Sequence, residues 1–127
     1  MNNDNLFEKE VAVLADVLEV KFVGVIKRNA IPLNIATTMV NIDHGKIAAM
    51  AATAIAGVEE IAKEASLGFL KPINIKADLG NINIIRAGPK VFLFVISEKH
   101  TDNGVFSLLL QKIAQEIEKK ANKLILE

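Results

Sequence analysis

The sequence of 127 residues contains no Cys, Trp or Tyr and only three Pro. Without Cys there can be no disulfide staple, thiolate zinc site or cysteine nucleophile. Aromatic residues are limited to six Phe, too few for the stacking platforms that hold single-stranded nucleic acid. A surplus of either charge is also missing, since fifteen basic residues balance fifteen acidic ones. A neutral chain has no large field to draw it to a phosphate backbone or an anionic membrane, so nucleic acid and direct membrane contact are not expected. Charged or amide residues interrupt every apolar run before it reaches membrane-spanning length. The polar start Met1-Asn2-Asn3-Asp4-Asn5 lacks the basic region of a signal peptide, which implies a cytoplasmic protein. What is abundant is hydrophobic residue, 51% of the chain, enough to bury one domain-sized core spanning residues 1–127.

The apolar residues Leu6, Phe7, Val11, Leu14, Val17 and Leu18 fall on one helical stripe, with Asp4 placed to cap it. Phe22–Ile26 and Ile31–Ala36 read as two strands joined by a short turn, with Pro32 at a strand start or an open edge. Asp43-His44-Gly45 then caps a long helix to about Ser66. That helix carries two apolar strips. One holds Ile47, Met50, Ala54, Val58 and Ile61, expected to cover a sheet; the other, smaller one holds Ala48, Ala51, Ala52, Ile55 and Ala62. A surface helix needs only one such strip, so the Ala-rich one is expected to receive a second helix at close range. Three further strands follow at 73–77, 81–86 and 91–96, the last apolar on both faces and therefore central. A final helix is expected from Asp102 to about Ile125, apolar at Val105, Leu108, Leu109, Ile113, Ile117, Ala121 and Leu124. The order α-β-β-α-β-β-β-α predicts a three-layer αβα sandwich. Its five-stranded antiparallel sheet carries the Ala-rich helix on one face and the terminal helices on the other.

No catalytic, cofactor or metal site emerges. His44 and His100 stand far apart, in no ligand spacing, and read as turn residues. Gly45-Lys46 lacks the upstream glycine and following hydroxyl residue of a phosphate-binding loop. Asp102-Asn103-Gly104 reads as a helix cap, and Glu59-Glu60 point apart on a helix. Asn74, Asn81 and Asn83 are expected on the outer side of their strands. Arg28 and Arg86, the only arginines, read as surface or turn residues.

The segments Val23-Gly24-Val25-Ile26, Arg28-Asn29-Ala30-Ile31-Pro32, Ile47-Ala48-Ala49-Met50-Ala51-Ala52 and Asn103-Gly104-Val105, in this order of elements, resemble the Roadblock family. The family commonly places Asp-Gly at the first hairpin tip, where this chain has Asn29-Ala30. An Ala there meets a left-handed backbone at a cost of roughly 1 kcal/mol, or forces another turn type. The resemblance implies a non-enzymatic homodimer built on the long helix and the third strand. Carried over, its interface comprises Ala48, Ala51, Ala52, Ile55 and Ala62 with Ile73, Asn74, Ile75 and Lys76. It further implies a platform that binds a small Ras-like GTPase and modulates its nucleotide state or location. The alternative is a structural adaptor in a motor or multi-protein complex. No cofactor is expected in either case.

Overall fold

A computed structural model of the chain describes residues 6–101 and 103–124. Its elements follow the expected order: α1 (Glu8–Ala15), β1 (Val20–Lys27), β2 (Pro32–Thr37), α2 (His44–Glu64), β3 (Ile73–Ala77), β4 (Gly80–Ala87), β5 (Val91–Ser97) and α3 (Gly104–Asn122). The strands form one antiparallel sheet ordered β2-β1-β5-β4-β3. β5, apolar on both faces, is the middle strand, and Pro32 opens the edge strand β2.

Alternation along the strands divides the core in two. Val23, Val25, Ile85, Leu93 and Val95 face α1 and α3, which contribute Val11, Leu14, Phe106, Leu110, Ile113 and Ile117, joined by Phe7 just ahead of α1. On the other face Phe22, Ile26, Ile84, Phe92 and Phe94 meet α2. Phe22 and Phe94 pack edge to face with centroids 5.8 Å apart. The two terminal helices share one layer, where the buried Glu10 pairs with Lys120 at 2.9 Å. Without that partner the enclosed carboxylate would carry an uncompensated desolvation cost.

Three local details differ from the sequence expectation. α1 starts at Glu8 with Phe7 at the cap position, whose N–H donates to Asn34 Oδ1 at 3.0 Å; Asp4 lies outside the described residues. In α3, Val105 and Leu108 point to solvent, and Phe106 and Leu110 take the inward positions. Asn81 and Asn83 are buried. Asn81 Nδ2 donates to the carbonyls of Glu98 and Lys99 at 3.1 Å each, and Asn83 Oδ1 accepts from Asn74 at 2.9 Å. These partners satisfy the amides, so burial costs little.

Candidate interaction surface

The surface is built on α2. Asp43 accepts the Lys46 N–H at 3.0 Å and closes the first turn of the helix. The far end stops in a Schellman arrangement, with Leu67 N–H bonded to Ala62 O at 2.8 Å and Ser66 N–H to Lys63 O at 3.1 Å. Ser66 takes φ 58° there, a conformation glycine usually supplies.

Between these ends, the structure reverses the expected roles of the two strips. Ala48, Ala51, Ala52, Ile55 and Ala62 are buried within the single chain, and the first four of them pack against the chain's own sheet. They cannot also receive a second helix. The physical reason lies in the sheet. Its α2 face presents bulky Phe22, Phe92 and Phe94, and close packing then requires small residues on the helix above them. Apart from Ile47, which packs against the core, the larger strip is the one left uncovered, with Met50 54%, Val58 40% and Ile61 65% exposed. Ala54 and Gly57 lie exposed between them. Small residues flanked by large ones make a face that another helix can approach closely.

Beyond the helix runs β3, an edge strand whose Asn74, Ile75, Lys76 and Ala77 are exposed while Ile73 reaches the core. The outer side of such a strand offers unpaired backbone groups to another strand.

A cleft of about 590 Å³ opens beside the C-terminal half of α2, bounded by the 66–70 loop and the two hairpin tips. Both arginines line it. Arg28 is not a free turn residue. Its Nη1 pairs with Glu59, its Nη2 donates to Gly88 O at 3.0 Å, and its guanidinium lies 5.7 Å from the Phe92 ring centroid. Its backbone N–H also donates to Lys90 O at 3.2 Å, tying the first hairpin tip to the β4–β5 turn. Arg86 stacks on Phe69, 4.2 Å from the ring centroid. Neither role has a local signal in the sequence, because each partner lies 17 or more positions away.

The other sequence candidates take structural places. His44 meets Phe22 edge-on at 6.0 Å, and Asn103 Oδ1 caps α3 by accepting the Phe106 N–H at 2.9 Å. Among the described residues, no three His, Asp or Glu side chains gather as metal ligands. No described helix is long and apolar enough to cross a membrane.

The family model described as the Roadblock/LC7 domain matches residues 6–97. The chain belongs to the Roadblock/LC7 family. Solved structures agree in fold. Myxococcus xanthus MglB superposes with a TM-score of 0.81 at 23% identity, covering 95% of this chain and 93% of its own. The gliding protein MglB of Thermus thermophilus gives 0.78 at 15% identity, over 94% and 93% of the two chains. A Roadblock/LC7 domain from Streptomyces avermitilis gives 0.76 at 12% identity, over 94% and 97%. At these identities the likeness is one of fold. A search of curated proteins finds no match to the sequence.

Proposed function

We propose that this Roadblock/LC7 chain is a homodimeric, non-enzymatic platform that binds a small Ras-like GTPase and modulates its nucleotide state or location. One observation carries the dimer. An exposed apolar stripe, Met50, Ala54, Val58 and Ile61, lies beside an edge strand with no outer neighbour among the described residues. A twofold pairing through α2 and β3 would cover the stripe and remove two sheet edges at once. The interface proposed from the structure keeps Ile73, Asn74, Ile75 and Lys76 and replaces the buried Ala strip with the exposed one. A solved relative, MglB with a tetrameric arrangement, shows that this fold assembles in at least one other protein.

The GTPase partner rests on the family resemblance. Arg28 is engaged by Glu59 and the Gly88 carbonyl, which supports a platform that positions switch loops over one that inserts an arginine into a nucleotide site. We also read residues 1–127 as one domain. The family match ends at residue 97, yet α3 supplies Phe106, Leu110, Ile113 and Ile117 to the same core as α1.

Two measurements test the proposal together. Sedimentation velocity of the purified chain should give a dimer that Ile61→Asp converts to a folded monomer. Affinity capture in GTP-analogue and GDP buffers should enrich a Ras-like GTPase in one of them. A wild-type monomer at tens of micromolar would remove the dimer. An identical set of non-GTPase partners in both buffers would make the protein an adaptor instead.

A further inference from the structure

The cleft beside α2 has a chemistry that the dimer reading does not use. Three cations line it, Arg28, Lys63 and Arg86, against two carboxylates, Glu59 and Glu60. Arg28 and Glu59 satisfy each other. Arg86 is different. It is half-buried, its guanidinium carbon lies 4.2 Å from the Phe69 ring centroid, and among the described residues no carboxylate or carbonyl accepts from it. A planar guanidinium in contact with a ring retains N–H donors for a two-oxygen acceptor. Apart from Ser66, the remaining wall, including Ala52, Ala56, Leu70 and Pro89, is apolar, and the volume of about 590 Å³ is that of a small-molecule site.

We propose that this cleft binds a small amphipathic carboxylate, its head on the Arg86 edge and its apolar body along α2 and Leu70. The surplus of a single positive charge selects a monoanion. A phosphate dianion would meet the carboxylates of Glu59 and Glu60 with one uncompensated charge.

Octanoate serves as the probe, titrated into the full-length protein at neutral pH and followed by amide chemical shifts. The expected result is saturable shifts at Gly68, Phe69, Leu70 and Gly88, with octanamide and octyl phosphate each weaker by about tenfold, the worth of one charge-assisted hydrogen bond. Arg86→Gln should reduce octanoate binding by a similar factor. Phe69→Ala, at an exposed position that the fold does not need, should weaken it by releasing the guanidinium. Equal binding of octanoate and octanamide would overturn the proposal, as would shifts absent from the cleft amides. It would equally fall if Arg86→Gln, checked as folded by circular dichroism, dissociated the dimer while leaving octanoate affinity unchanged. That outcome would assign the cleft to the second copy of the chain.

Discussion

Ala30 sits at φ 77° where the β1–β2 chain turns, its N–H donating to Lys27 O at 2.9 Å while Lys27 N–H donates to Ile31 O at 2.9 Å. This pattern is a type I turn followed by a left-handed residue, a position that favours glycine. The Asn29-Ala30 departure from Asp-Gly therefore leaves the turn in place and charges the strain to one Cβ. Ala30→Gly should stabilise the protein by about 0.5–1 kcal/mol in urea denaturation, with an unchanged denaturant slope. Ser66, at φ 58° in the C-terminal cap of α2, should respond to Ser66→Gly in the same direction. Arg28 and Glu59 form the third residue-scale test. Truncating either should cost about 1–2 kcal/mol, because each leaves a partly enclosed charge without its partner. In a double-mutant cycle the two losses should fall well short of adding.

The two faces of α2 call for opposite outcomes from the same kind of substitution. Ala52→Glu drives a carboxylate between the helix and Phe-rich strands at a position 5% exposed, and should unfold the chain. Ile61→Glu, at a position 65% exposed, should leave the thermal melt of the monomer nearly unchanged and abolish the proposed self-association. Circular dichroism and light scattering separate the two results. Sequence periodicity located both strips of this helix but could not orient them. Side-chain size on a helix does not say which strip faces inward when both are apolar; the answer depends on the opposing sheet. Strand positions were more legible, and the doubly apolar β5 run marked the central strand directly. Asn81 and Asn83 escaped because their hydrogen-bond partners are not neighbours along the strand. Arg28 and Arg86 escaped for the same reason, so the helix and edge strand of the candidate surface were legible and its cleft was not. At the first turn of α3, Phe106 and not Val105 reaches the core, a shift of one position that a helical wheel without the sheet cannot resolve.

At the scale of the whole molecule, the proposed homodimer, by burying the α2 stripe and pairing β3, would link folding to association. Its melting temperature should rise with protein concentration, and Ile61→Glu should remove that dependence. The arrangement of the layers has a further practical outcome. α1 and α3 lie together on the face opposite α2, and Lys120 Nζ stands 3.5 Å from the carbonyl of Leu6. The opening and closing turns of the described chain are thus close enough to be spliced by a short flexible linker. New termini could be cut at the Asp78-Leu79 tip, where Leu79 is 93% exposed. Such a circular permutant should fold with the same three layers. Its new ends would adjoin β3, so a bulky fusion there becomes a steric switch on strand pairing.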